Sequence, residues 1–151
     1  MPVIPEREKQ QVREIFERDL HNDVQLDLYT QKPSILFVPG RPQNVGTDET
    51  LDLISEVAEL SANIRLEIHD IQQEATAAAE AGVERAPTLI LKGGNAGTIR
   101  FLGSPAGYEF STLIADLVDI SAGNLLLTEE TQAALRAIDE PVHIQVFSTP
   151  T

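Results

Sequence analysis

Chemistry needs a nucleophile, a base, a set of metal ligands or a phosphate cradle, and this chain offers few of them. It has no cysteine. That removes disulfides, thiolate attack and sulfur-ligated zinc together. None of its three histidines, His21, His69 and His143, is followed four residues later by another ligand, so no metal site is expected. No Ser-His-Asp or Cys-His set can be assembled. Adjacent carboxylates such as Glu129 and Glu130 do not face each other on a helix and sit on its outer face. The glycine-rich "KGGNAG" (92–97) bridges two strand-like runs and reads as a hairpin whose Gly and Asn accept positive φ. A phosphate cradle needs a helix N-terminus behind it. "PGRPQNVGTDE" (39–49) does open a helix, and Arg41 there could meet an anion, although Asp48 and Glu49 oppose one. The expectation is no catalytic residue, no metal and no cofactor, with an anion at the Arg41 loop as a minor alternative.

One stretch stands apart, "GVERAPTLILKGG" from Gly82 to Gly94. Thr88 to Leu91 form an unbroken run of β-formers, as in a buried strand. Pro87 stands at its head and has no backbone N–H to give a ladder. Two readings are open: a cis X–Pro bond that turns the chain sharply into the strand, or a trans proline on an edge strand.

The elements that would position these residues follow from periodicity. Val12, Ile15, Phe16 and Leu20 share one helical face between Pro5 and Leu20. Val24 to Thr30 alternates apolar and polar residues, as a half-buried strand does. Ile35 to Val38 is a second short strand candidate. A helix opens near Thr47 or Asp48, either of which suits the N-cap, and it buries Leu53, Ile54, Val57 and Leu60. "ANIRLEIHD" alternates again and reads as a strand. "QQEATAAAEAG" reads as an alanine-rich helix with Gly82 as its C′ residue. "TLIL" and "TIRFLG" flank the hairpin. "PAGYEFSTLIADLVDIS" is a helix with Phe110, Leu113, Ile114, Leu117 and Val118 inward. "LTEETQAALRAID" is a last helix, opened by Thr128 in an approach to a capping box. Val142 to Ser148 reads as a final strand.

This order predicts an α/β fold. A parallel crossover unit is followed by an antiparallel hairpin at the sheet's edge, with helices on both faces. A chain of 151 residues fits one domain with an appendage. Aromatics are only 5%, so the core must be built from Leu, Ile, Val and Ala. The formal net charge of −13 argues against nucleic acid and anionic membranes as partners. No apolar run approaches the length of a bilayer span, and "MPVIPEREKQ" lacks a signal-peptide core, so the cytoplasm is the expected location.

The architecture together with Gly82, Val83, Pro87, Thr88 and Leu89 resembles the thioredoxin fold, in which a helix ending in Gly-Val is followed by a cis-proline that begins a central strand. The resemblance implies a three-layer α/β/α unit with a mixed sheet and a C-terminal hairpin edge. It also implies that the backbone beside Ala86 pairs with an extended peptide. A longer match covers nearly the whole chain. "RAPTLIL", "IRFLGSPAGYEF", "LIADLVDIS" and "TEETQAALRAIDEPVHIQVFSTPT" resemble the tandem protein disulfide oxidoreductases, glutaredoxin-like proteins of two thioredoxin-fold units. Gly103, Pro105, Ala106, Gly107, Glu109 and Phe110 carry that family's G-x-P-A-G-x-E-F segment. The N-terminal tandem fold of the flavoprotein subunit of alkyl hydroperoxide reductase is a more distant relative.

Two departures from that family shape the functional expectation. Its first unit usually carries Cys-x-x-Cys at the helix start after the first strand; "NVGT", Asn44, Val45, Gly46 and Thr47, stands there instead, although "KPSILFVPG" aligns in two ways. Asn and Thr form neither a thiolate nor a mixed disulfide. The chain is therefore expected to be a redox-silent unit that docks a protein or peptide partner in a groove lined by Asn44 to Thr47, Arg85, Ala86 and Pro87. In the family, "VFSTPT" also leads directly into the second unit's Cys-x-x-Cys. The resemblance thus divides the chain into a unit over 1–123 and, over 124–151, the helix and strand that begin another. The competing expectation is a fragment of a two-unit oxidoreductase whose cysteines, or a selenocysteine, lie beyond Thr151. A cloned domain, a natural truncation and a selenocysteine codon read as a stop each fit. The unpaired last strand would fold back on the first sheet or join another copy, so a homodimer through 124–151 is expected.

Overall fold

The computed structural model describes residues 2–32, 47–94, 97–123 and 127–148. Its elements are α1 (Glu6–Asp19), β1 (Val24–Thr30), α2 (Thr47–Ala58), β2 (Ile64–Asp70), α3 (Ala75–Glu80), β3 (Thr88–Lys92), β4 (Thr98–Leu102), α4 (Tyr108–Ala122) and α5 (Glu129–Arg136). The strands form one mixed sheet in the order β2-β1-β3-β4. β1 pairs with β2 in parallel and with β3 antiparallel, and β4 returns antiparallel on β3. The expected second strand at Ile35–Val38 lies outside the described residues. Among the described residues no helix is long and apolar enough to cross a membrane.

Side-chain alternation assigns each layer. Val24, Leu26 and Leu28 of β1 and Leu89 and Leu91 of β3 point to one face, where Val12 and Phe16 of α1, Leu53, Ile54 and Val57 of α2 and Leu113 and Leu117 of α4 close the main core. The opposite face carries Tyr29 and Ile90 under Ala78 of α3 and the adjoining Val83. β1 is buried along nearly its whole length, Asp27 and Thr30 included. Its polar–apolar alternation predicts a half-buried strand; a central position, with partners on both edges and helices above and below, buries the polar positions as well. β2 has the same kind of alternation but lies at the edge, and Ile68 is 51% exposed.

Helix ends are set by local chemistry. α3 begins later than "QQEATAAAEAG" predicts, because Asp70 Oδ1 accepts the N–H groups of Gln72 (2.8 Å) and Gln73 (3.2 Å) and holds a turn there. Those same bonds, Gln72 first, keep the Asp70 carboxyl below the ordinary aspartate value. α2 starts with Thr47 already helical, so its cap position precedes Thr47 and falls outside the described residues. Thr128 caps α5 as expected, accepting the N–H of Thr131 at 3.2 Å.

Two expectations need correction. Gly93 and Gly94 of the hairpin do not have positive φ, and Asn95 lies outside the described residues; among the described residues the positive values fall at Gly82, Gly103, Gly107 and Gly123. What Gly93 supplies is closeness, since a Cβ there would lie 2.5 Å from the Ile120 carbonyl oxygen of α4. Residues 142–148 form no strand and pair with none among the described residues. Ile144, Val146 and Phe147 are 80–89% exposed. Alternation marks a segment able to join a sheet, but a strand exists only once another backbone takes its hydrogen bonds.

Candidate functional site

The turn into β3 is built from both of its sides. α3 stops in a Schellman arrangement: Gly82 N–H reaches Ala79 O (3.0 Å), Val83 N–H reaches Ala78 O (2.8 Å), and Gly82 takes φ 66°. Val83 then packs on Ala78, and the Gly-Val pair in the sequence is this stop signal. Arg100 of β4 donates to the carbonyls of Gly82 and Ala81, each at 2.8 Å, and ties the end of α3 to the sheet. Four residues further on, the Ala86–Pro87 peptide is cis. Pro87 is buried and heads an inner strand, so the edge-strand alternative does not hold. Its carbonyl accepts Gly103 N–H at 2.9 Å, which extends the β3–β4 ladder by one bond. Thr88, fully buried, donates its hydroxyl to Arg85 O at 2.8 Å and fixes the bend. With these groups engaged, the backbone N–H and C=O of Ala86 have no hydrogen-bond partner among the described residues.

The site residues expected from sequence divide into two sets. Arg85, Ala86 and Pro87 are contiguous on this turn, with Arg85 exposed and Ala86 half-buried. Thr47 opens α2 and is buried. Thr88 lies opposite Tyr29 near the C-terminal end of β1, so the turn sits at that end of the sheet. Asn44, Val45 and Gly46 lie outside the described residues, as does Arg41 of the anion alternative.

A second polar constellation escaped sequence reasoning. On the α3 face, the pairing Asp27↔Glu67 and Tyr29↔His69 sets two carboxylates and an imidazole side by side. Asp27 is buried, accepting Lys92 Nζ at 2.5 Å and Gln25 Nε2 at 2.9 Å. The bond to Asp27 raises the Lys92 ammonium above the ordinary lysine value. The His69 ring stacks on Tyr29, with centroids 4.8 Å apart and planes 23° apart. Its Nδ1 lies 2.8 Å from Glu74 Oε2 and its Nε2 3.9 Å from Glu67 Oε2. Burial raises the Tyr29 phenol, with Asp27 adding to the effect. These residues sit at i and i+2 on paired strands, where a search for helical i,i+4 spacing finds nothing. The alternation of "VQLDLYT" and "IRLEIHD" was the available signal, but it needs the register to become a cluster.

Fold and turn together define a thioredoxin-like domain, one from which every cysteine is missing. No protein-family model matches the chain. Among curated proteins it is similar to an alkyl hydroperoxide reductase subunit from Staphylococcus epidermidis, 23% identical over 134 residues that make up 88% of this chain and 24% of that protein. The chain thus spans about a quarter of that relative's length. Among solved structures, a protein disulfide oxidoreductase from Aeropyrum pernix superposes with TM-score 0.71 at 23% identity, over 88% of this chain and 54% of that one. The NTD_N/C domain of the alkylhydroperoxide reductase AhpF from Enterococcus faecalis gives TM-score 0.70 at 22% identity, over 91% and 62% of the two chains.

Proposed function

We propose that this domain is a redox-silent docking unit that receives an extended stretch of a partner protein along Arg85-Ala86-Pro87. One observation carries the reading: a chain without sulfur nucleophiles keeps, at Ala86 beside a buried Pro87, a backbone donor and acceptor that have no partner among the described residues. Strand-like addition of a peptide satisfies both groups. The test has two arms. Insulin-disulfide reduction by dithiothreitol is expected to run no faster with the domain present. Titration with S-carboxymethylated insulin B chain, an extended peptide without free thiols, is expected to shift the amide resonances of Glu84, Arg85, Ala86 and Thr88. Acceleration of insulin reduction refutes silence; unmoved amides at Glu84, Arg85, Ala86 and Thr88 at saturating peptide refute the docking edge.

A second reading is favoured by coverage, since the chain matches only 54% and 62% of its structural neighbours. In it, the domain orients another unit that carries the cysteines, and a longer natural chain reduces insulin where this one does not. The proposed location is the cytoplasm, checked by fractionation of the producing cells; recovery outside them opposes it. We also propose a homodimer through residues 124–151, supported by exposed Leu135 and Ile138 at the end of α5 and by exposed Val142, Ile144, Val146 and Phe147. Light scattering with and without 141–151 tests it. A monomer in both cases removes the idea.

A further inference from the structure

Among the described residues, the cover on the face of the sheet that carries Tyr29 and Ile90 comes from α3. α3 has six residues and shelters Tyr29 and Ile90, and beyond it Asp27, Glu67, Lys92 and Arg65 form a charged floor. Arg65 is paired with Asp23 at 2.5 Å, Arg100 is bound to the carbonyls at the end of α3, and Lys92 is paired with Asp27 near Glu67. Negative charge is in excess there. One oxygen each from Asp27 and Glu67 and one nitrogen of His69 lie within 4.8 Å of one another. Zinc with bonds near 2.1 Å sets neighbouring tetrahedral ligands about 3.4 Å apart, and the His69 Nε2 to Glu67 Oε2 separation is already 3.9 Å. Glu67 is exposed and free to close the remainder by rotation.

Two features separate this set from a chance meeting of surface acids. The imidazole is held on both sides, by stacking on Tyr29 and by Glu74 on Nδ1. A carboxylate only accepts, so Nδ1 carries the proton of that bond, and in the neutral ring Nε2, on the Glu67 side, is then the nitrogen left to ligate a metal. Carboxylate-oriented histidine of this kind is how proteins ready an imidazole for a metal. The second feature is that buried Asp27 already binds a cation, the Lys92 ammonium, whose side chain is 49% exposed on a flexible four-carbon stem. We propose that Asp27, Glu67 and His69 bind a divalent transition-metal ion on the α3 face, displacing Lys92 outward and leaving a fourth position open to water or an external ligand. The donor set of one imidazole and two carboxylates suits zinc, cobalt or manganese over calcium.

The probe is zinc chloride, titrated calorimetrically into tag-free, chelator-stripped protein. One equivalent is expected to bind. His69→Ala and Glu67→Gln are each expected to weaken it at least about tenfold, and Glu74→Gln, which reaches the metal only through the imidazole, by about tenfold as well. Lys92→Met is expected to tighten binding, because the resident cation is gone. His21→Ala and His143→Ala are expected to change nothing. Binding that survives His69→Ala, or that fails with His143→Ala, overturns the proposal, as does an absence of binding. Should a substitution unfold the chain, the wild-type imidazole answers directly: zinc is expected to move the His69 Nε2 resonance and not that of His143, and the reverse pattern overturns the site.

Discussion

Gly93→Ala isolates a contact that the amino-acid sequence does not announce. A Cβ at residue 93 would lie 2.5 Å from Ile120 O and 3.0 Å from both Ile120 C and its Cγ1. Ordinary contact begins near 3.4 Å, so β3 and α4 must part by about 0.9 Å at this point. The obstacle is backbone, and α4 is held: Leu117 is buried against the sheet, and Ser121 is clamped to Asn22 by three hydrogen bonds of 2.8–2.9 Å. Overpacking of this kind costs about 1–3 kcal/mol. Loss of glycine's freedom in the unfolded chain offsets roughly 0.4–1 kcal/mol of that. A net loss of about 1–2 kcal/mol remains, which for a domain of this size lowers Tm by roughly 2–8 °C. The matched control is Gly94→Ala, where a Cβ meets nothing within 4 Å; its effect is expected within about 0.5 kcal/mol. Differential scanning calorimetry on the three proteins decides the matter. A Gly93→Ala Tm equal to or above wild type would mean that β3 and α4 are not packed as described.

Three further outcomes are expected. Ser121→Ala strips the partners from the Asn22 N–H and carbonyl, and urea unfolding is expected to find it about 1–2 kcal/mol less stable; a smaller loss means water replaces the hydroxyl. Glu56 accepts the N–H groups of Ile4 and Val3 and pairs with Lys9, and the Ile4 bond above all holds its carboxyl below the ordinary glutamate value. Its stabilisation is complete above that ordinary value and disappears as pH falls through the lowered one, so Glu56→Gln is expected to flatten the acid limb of a Tm-versus-pH curve; parallel limbs contradict the assignment. Asp116 on α4 is the opposite case, raised by burial first and then by Asp119 and Glu109. Its ionised form is disfavoured in the fold, so Asp116→Asn is expected to raise Tm at neutral pH, with the gain vanishing once pH falls below the ordinary aspartate value.

Most of the framework was legible in the residues because its signals are local. The 3.6-residue period of α1, α2 and α4, the Gly82-Val83 stop, the Thr128 cap and the β-runs of β1 to β4 each depend on neighbours a few positions away. The same holds for the candidate docking turn, where Pro87 ahead of an apolar run already raised the question of how the strand begins. The loss of thiol chemistry needed only a count of cysteines.

Position in the sheet was decided elsewhere. "VQLDLYT" and "IRLEIHD" carry the same kind of alternation, yet one became the buried centre and the other an open edge, because partners from distant parts of the chain flank the first on both sides. Asp27, Glu67 and His69 met through the parallel register of two strands some forty residues apart, a relation no local pattern encodes. Gly93 owes its identity to a helix carbonyl twenty-seven positions away. "VHIQVFS" had the pattern of a strand and did not become one, since its backbone finds no edge to complete among the described residues. Short-range sterics and hydrogen bonding determine which elements can form; only the folded chain decides which of their faces are buried, and against what.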